Sequence, residues 1–154
     1  MTILYEQISS DRIQAVEDLG TATYPANYYE GLASFNSKIL GYPQGCFLAR
    51  IDEAVVGYII SFPYVLNKVY PINEHYIRVD NPTCLYIHDL CVSLTYRHQN
   101  IATSLVKRVL SSKITPQALV SVLNSESFWK RFGFITQRSF DYYGGSGSYM
   151  VRHH

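Results

Sequence analysis

Three stretches of the chain carry side chains able to do chemistry. In Tyr86-Ile87-His88-Asp89-Leu90-Cys91-Val92 an imidazole, a carboxyl and a thiol stand in an otherwise apolar run. Histidine is the side chain type that titrates nearest neutral pH, which suits His88 to a general base, with Tyr86 two residues before it on the same strand face. His88 reads as well as a packed, hydrogen-bonded strand histidine, Asp89 as a residue that orients its neighbours or binds a nearby loop, and Cys91 as packing. Beyond this run, Arg97-His98-Gln99-Asn100-Ile101-Ala102 leads into an apolar stripe at 101, 102, 105, 106, 109 and 110, opposite Thr103, Ser104, Lys107 and Arg108. Such a turn aims several free backbone N–H groups at one point, and the helix dipole favours negative charge there, so the chemistry is that of a phosphate seat. The third stretch is the aromatic run Phe128-Trp129-Lys130-Arg131-Phe132-Gly133-Phe134.

The elements that must position these residues follow from periodicity and turn chemistry. Thr2 to Ile8 alternates as a strand, and Ser9-Ser10-Asp11 supplies helix N-cap residues before Ile13, Val16 and Leu19. Tyr24-Pro25 interrupts that helix, and Tyr28, Leu32, Phe35 and Ile39 resume a helical stripe until Gly41 and Pro43. Cys46 to Ile51 and Val55 to Phe62 form a hairpin about Asp52-Glu53, and Pro63 is expected to end it. Residues 64 to 82 lack clean periodicity and read as a long ordered loop near a site. Leu85 to Val92 is a strand feeding the amphipathic helix from Ile101. Ala118 to Leu123 is a strand, and Ser125 to Phe132 a short helix stopped by Gly133. Phe134 to Phe140 and Ser148 to Arg152 form a last hairpin, with Gly144-Gly145-Ser146-Gly147 as a flexible tip. The order β-α-α-β-β-β-α-β-α-β-β is an α/β (α+β) plan: a mixed sheet with helices on both faces, in one domain over residues 1–154.

Composition excludes several classes. The charged share is 16% and the net charge +1, which leaves no electrostatic footprint for nucleic acid or an anionic membrane. Apolar runs such as Val55 to Ile60 are far below membrane-spanning length, and Glu6 interrupts the start where a leader's apolar segment would continue. Cys46, Cys84 and Cys91 are odd in number and lack metal-ligand spacing, so no metal is expected and a reducing, cytoplasmic setting is. A Gly-Lys-Ser/Thr phosphate loop is absent, and the glycines at 144 to 147 precede a strand instead of opening the helix that a dinucleotide fingerprint requires.

Leu90-Cys91-Val92, the turn from Arg97 to Ala102, and Phe128-Trp129 with Gly133-Phe134 together resemble the GNAT superfamily of N-acetyltransferases. Its cofactor motif is Arg or Gln, two residues, Gly, one residue, then Gly or Ala. Arg97 and Ala102 match, and Asn100 replaces Gly; Asn is the next most tolerant residue for the left-handed backbone that Gly supplies there. The resemblance implies a mixed, mostly antiparallel sheet of six to seven strands with about four helices, the fourth and fifth strands splayed apart. It implies acetyl-CoA as cosubstrate, with Leu90, Cys91 and Val92 at the thioester end. His98, Gln99, Asn100, Ile101, Ala102 and Thr103 would lie at the pyrophosphate, and Asn124, Phe128 and Trp129 on the other wall. Trp129 stands where many members carry a tyrosine that protonates the leaving thiolate, and an indole N–H is not a usable acid.

The resemblance also implies that the acceptor is bound by the first two helices, the loop at 64 to 82 and the last hairpin. Tyr24, Pro25, Tyr28, Phe62 and Tyr64 are then substrate-contact candidates. Tyr24-Pro25 and Ile59-Ile60-Ser61-Phe62-Pro63 are similar to the arylalkylamine N-acetyltransferase branch, which implies direct acetyl transfer to the primary amine of a small, aromatic molecule by a monomer or homodimer. Glu30, Asp89 and Glu126 are acids that could attract such an amine, surface solvation being the ordinary alternative. Two other readings stand beside this one: acetylation of a protein lysine or N-terminus, and a non-catalytic acyl-CoA-binding sensor, suggested by Asn100 and Trp129.

Overall fold

In a computed structural model, which describes residues 1–153, the chain builds one seven-stranded sheet in the order β1-β2-β3-β4-β5-β7-β6. The strands are β1 (Leu4–Gln7), β2 (Cys46–Ile51), β3 (Ala54–Tyr64), β4 (Cys84–Val92), β5 (Gln117–Ser121), β6 (Ile135–Tyr142) and β7 (Gly145–Arg152). The helices are α1 (Ile13–Thr23), α2 (Leu32–Gly41), α3 (Ile101–Leu110) and the single-turn α4 (Glu126–Lys130). Every neighbouring pair of strands is antiparallel except β4 and β5. The expected α+β architecture is therefore found, with seven strands and four α-helices among the described residues. No helix is long and apolar enough to cross a membrane among the described residues. His154 lies outside them.

Helices cover both faces of the sheet, and two adjacent residues of β3 show how. Gly57 faces α3 so closely that a Cβ would lie 3.0 Å from the Ile101 side chain. Tyr58, which must point to the opposite face, packs edge-on against Phe35 of α2 with ring centroids 5.7 Å apart. The buried set joins Val16, Phe35 and Ile39 from one side with Ile101, Leu105 and Val109 from the other. Phe35 and Ile39 of α2, and Ile101, Leu105 and Val109 of α3, have the four-residue spacing of a helix face.

Two expectations need correction. Pro63 does not end β3, which continues to Tyr64 opposite Cys84. Pairing of β3 with β2 stops at Ile60, so at Pro63 the missing N–H deprives no ladder partner on that side. Its carbonyl accepts a hydrogen bond from the Tyr76 hydroxyl at 2.9 Å. The glycine run is not a flexible tip either. Gly145, Ser146 and Gly147 belong to β7 and pair with Tyr142, Asp141 and Phe140. The turn is the two residues Tyr143-Gly144, both at positive φ (53° and 83°), the backbone of a tight type I′ hairpin.

The segment 65–83 has no helix or strand, and tyrosine hydroxyls hold it in place. The N–H groups of Asn67, Tyr70 and Ile72 donate to the hydroxyls of Tyr149, Tyr86 and Tyr143 at 2.7, 3.3 and 3.0 Å. Tyr142 donates in turn to the Tyr70 carbonyl at 3.1 Å. Much of the tyrosine content thus satisfies loop backbone that no ladder reaches.

Candidate active site

The site begins where β4 and β5 part. They pair at three positions, Leu85, Tyr86 and Ile87, after which residues 88 to 92 have no strand partner on that side. A bulge falls at the same point. Ile60 opposes Asp89 while Ser61 opposes Ile87, so His88 is an extra residue in β4. An extra residue breaks the strict alternation of faces and bends the strand, which re-aims the side chains beside it. Tyr86, His88 and Asp89 consequently border one small cavity of about 50 Å³ together with Tyr24 and Glu30.

The gap between the strands opens into a cleft of about 530 Å³ that runs past Leu90 and Val92 to the start of α3. Asn100 adopts the left-handed conformation (φ 61°, ψ 20°), as the replacement of Gly by Asn requires, and His98 does the same (φ 65°). Ile101 is buried, and Ile101, Ala102 and Thr103, whose N–H groups have no acceptor within α3, border the cleft. This arrangement can hold an anion without further preparation. A narrow strand edge leading to an anion seat fits an extended acyl-pantetheine chain ending in a pyrophosphate.

On the other side of Tyr24 lies a second cavity of about 560 Å³ with aromatic walls, and Glu30 and Asp89 are the charged residues on its lining. Tyr24 borders the cleft and both cavities, and its hydroxyl donates to the Leu90 carbonyl on the unpaired edge. Asp89 also borders all three and accepts a hydrogen bond from Tyr58 at 2.7 Å. Burial pushes the Asp89 carboxyl up to about 6, against the opposing pull of His88. Burial raises the phenols of Tyr24, Tyr58 and Tyr86 well above their ordinary range, so they stay protonated. It also pushes the Cys91 thiol up to about 12, with Asp89 adding to the effect, which leaves no thiolate for a covalent acetyl-cysteine.

A buried charged group behind His88 completes the site. Glu30, 7% exposed, lies 2.7 Å from the Lys38 ammonium through Oε1 and 3.1 Å from His88 Nε2 through Oε2. Burial works to raise the Glu30 carboxyl, but the charge and hydrogen bond of His88, then those of Lys38, hold it below the usual carboxylate range. Lys38 is itself lowered, since burial outweighs the attraction of Glu30.

Most of the residues expected from sequence meet at this cleft: Tyr24, His88, Leu90, Cys91, Val92, Arg97, His98, Asn100, Ile101, Ala102, Thr103, Phe128 and Trp129 all border it. Pro25 and Tyr28 border the aromatic cavity. Gln99 and Asn124 border neither. Phe62 and Tyr64, expected to contact the acceptor, are core instead: Phe62 is fully buried and stacks among Tyr64, Tyr70, Tyr76 and Tyr86. Tyr86 lies in the same cluster with its hydroxyl engaged by the Tyr70 amide. Trp129 is 6% exposed and packs edge-on against Phe128 and Phe134. Glu126 is not a free surface acid, because it accepts from Thr136 and Ser148 at 2.7 and 3.0 Å and ties α4 to the last hairpin. Lys38 and Tyr58 escaped sequence reasoning altogether. A lysine four residues after Ser34 and eight after Glu30 was the available sign of a buried pair, but the same spacing describes any solvated helix face.

The fold is shared with many solved structures. The loading GNATL domain of CurA from Lyngbya majuscula has a TM-score of 0.85 at 12% identity, covering 99% of this chain and 98% of that one. Arabidopsis thaliana Naa50 in complex with the bisubstrate analogue CoA-Ac-MVNAL gives 0.75 at 17% identity, with both chains fully covered. The NatC complex bound to Gag peptide and CoA gives 0.76 at 16%, covering 100% and 99%. No curated protein sequence matches the chain. The family model for the acetyltransferase (GNAT) family matches residues 13–134, and the chain belongs to that family of acetyl-CoA-dependent N-acetyltransferases.

Proposed function

We propose that the chain transfers acetyl from acetyl-CoA directly to the primary amine of a small molecule with an aromatic or apolar body. The observation that carries this reading is the cavity beside Tyr24. Its walls are the rings of Tyr24, Tyr28, Tyr29, Phe35 and Tyr58, and its charged lining groups, Glu30 and Asp89, are both acidic. Aromatic walls take up an apolar body, and a carboxylate at the junction with the acetyl cleft draws a cationic amine toward the thioester. Acetyl-CoA supplies the acyl group, and the remaining work falls to the chain. The first turn of α3 seats the pyrophosphate, the unpaired edge of β4 aligns the pantetheine, and Phe128 and Trp129 form the facing wall. Asp89 holds the ammonium until it has given one proton to solvent, and His88 takes a second from the neutral amine as the new bond forms. The arylalkylamine-like pairing of Tyr24 with Pro25 supports the same class of acceptor.

A peptide N-terminus is the second reading, favoured by likeness in fold to the two peptide- or peptide-analogue-bound proteins. Here the last hairpin leans on the α1–α2 connection, with Asn27 Nδ2 donating to the Tyr143 carbonyl at 2.8 Å, and the Tyr143 hydroxyl accepts from Ile72. That clasp ties together elements expected to flank the acceptor. The deciding experiment is a panel of amines and peptides read by thiol release. Release with tryptamine-like amines and none with peptides is expected; the reverse would establish the peptide reading, and no release with any acceptor would leave a sensor.

Asp89 gives the small-amine reading a pH dependence. The carboxyl attracts the ammonium once it is ionised, above about 6, so the KM for amine is expected to rise as the pH falls through that value. In Asp89→Asn the KM should be raised by about tenfold at neutral pH, the size of one charge-assisted contact, and should lose this dependence. An unchanged KM in that variant would remove Asp89 from the acceptor site.

A further inference from the structure

His88 Nδ1 is a buried side-chain polar atom with no hydrogen-bond partner among the described residues, on an imidazole whose side chain is 3% exposed. A buried polar atom is ordinarily satisfied, so an orphan in a ring that borders both the acetyl cleft and the small cavity points to a group that arrives during the reaction. The other nitrogen, Nε2, is engaged by Glu30 Oε2 at 3.1 Å.

Glu30 is held in turn on its second oxygen. Oε1 accepts from the Lys38 ammonium at 2.7 Å, the Ser34 hydroxyl at 2.6 Å and the Asn73 N–H at 3.1 Å. Lys38 also donates to the Ser34 hydroxyl and to the Glu74 carbonyl, the latter at 2.8 Å, which uses all three of its protons. An ionised carboxylate can only accept, so the proton shared with His88 must reside on Nε2. A neutral imidazole with its proton on Nε2 has its lone pair on Nδ1.

We propose that Lys38 and Glu30 are positioning residues that lock His88 in its Nε2–H form, so that Nδ1 is the atom that takes the proton of the acceptor amine. This rests on His88 being the base. The bound ammonium first gives one proton to solvent; as the new N–C bond forms, a second proton passes from the resulting neutral amine to Nδ1, and the C–S bond breaks with its electron pair on sulfur. That proton then passes from Nδ1 to the sulfur, directly or through solvent, and the lone pair is restored. The resulting imidazolium is stabilised through Nε2 by a carboxylate already in contact.

The groups beside His88 are Glu30 from the segment before α2, Asp89 from β4 and the ring of Tyr70 from the 65–83 segment, with Lys38 of α2 behind Glu30. Tyr86 of β4 adjoins it too, and Tyr24, Tyr28 and Tyr142 share its small cavity. Glu74 lies behind Lys38. Glu30 and Lys38 are the groups that the variants below change, with Asp89 common to wild type and variants.

Opposite shifts test the proposal. Lys38→Met leaves Glu30 without its ammonium, so the carboxylate favours the imidazolium, and the acid limb of kcat at saturating amine should move up by about one pH unit. Glu30→Gln leaves the ammonium without its carboxylate, so the imidazolium is disfavoured and the limb should move down by about one unit. Its plateau kcat should also fall about tenfold, because an amide can donate as well as accept and no longer dictates the tautomer. A structural role alone would lower kcat in both and move neither limb; unchanged limbs, or shifts of the same sign, overturn the proposal. The wild-type protein provides an independent measurement should either variant fail to fold. With ¹⁵N-labelled histidine and the pH above the limb, the His88 ring should show a protonated Nε2 and an unprotonated Nδ1. The reverse assignment, or a mixture, sinks the tautomer lock while leaving His88 as base to be judged by its own substitution.

Discussion

Replacing His88 with alanine is expected to lower kcat by about 10²- to 10⁴-fold, the span that a positioned general base supplies, or roughly 2.7–5.5 kcal/mol of barrier. The acid limb of the kcat profile should vanish with it, since the group that must lose a proton is gone. KM for acetyl-CoA should be unchanged, because the seat at the start of α3 does not involve His88. Added imidazole should restore part of the rate through the vacated space beside the 50 Å³ cavity. Trp129→Phe is the companion measurement. The indole is packed against Phe128 and Phe134 and offers no usable acid, so a phenyl ring in its place should cost little activity. Kinetics in which Trp129→Phe alone abolishes turnover would exchange these roles. A fall in melting temperature for His88→Ala with kcat per folded molecule intact would return His88 to packing.

What could be read in advance was what lies close together along the chain. The strand from Leu85 to Val92, the turn through Asn100 and the stripe of α3 are contiguous, so periodicity and turn chemistry place them without tertiary information. Asn100 shows this best: the need for a left-handed residue and the tolerance of Asn for it were both legible, and φ is 61°. The bulge at His88 was not, because an extra residue in β4 is defined only against its partner β3. Nor was the burial of Lys38, whose three acceptors come from Glu30, Ser34 and the carbonyl of Glu74, 36 residues along the chain. The aromatic residues misled for a related reason. Phe62 and Tyr64 on β3 and Tyr24 on the α1–α2 connection are the same residue types with the same apparent amphipathicity. Packing alone sends the first two to the core and the third to the junction of the cavities.

Ala102→Glu is expected to raise the KM for acetyl-CoA by about 10- to 100-fold, or roughly 1.4–2.8 kcal/mol, while leaving kcat at saturation unchanged. Ala102 is the second residue of α3 after the Asn100 cap and borders the cleft. A carboxylate in the first turn of a helix is stabilising by about 0.3–1 kcal/mol, so the fold should be retained or slightly strengthened. The same field that welcomes this carboxylate is the one that would welcome a phosphate, and the two cannot share it. Two charges 4 Å apart oppose each other by about 1 kcal/mol in water and about 4 kcal/mol near a protein surface, which brackets the expected loss. Raising the ionic strength should recover part of the affinity, because the opposition is partly screened. Ala102→Gln separates charge from bulk: it has nearly the shape of the glutamate without its charge and should retain most of the affinity. Equal damage from Gln and Glu would mean crowding, and an unchanged KM with Glu would mean that the pyrophosphate is not held by the first turn of α3.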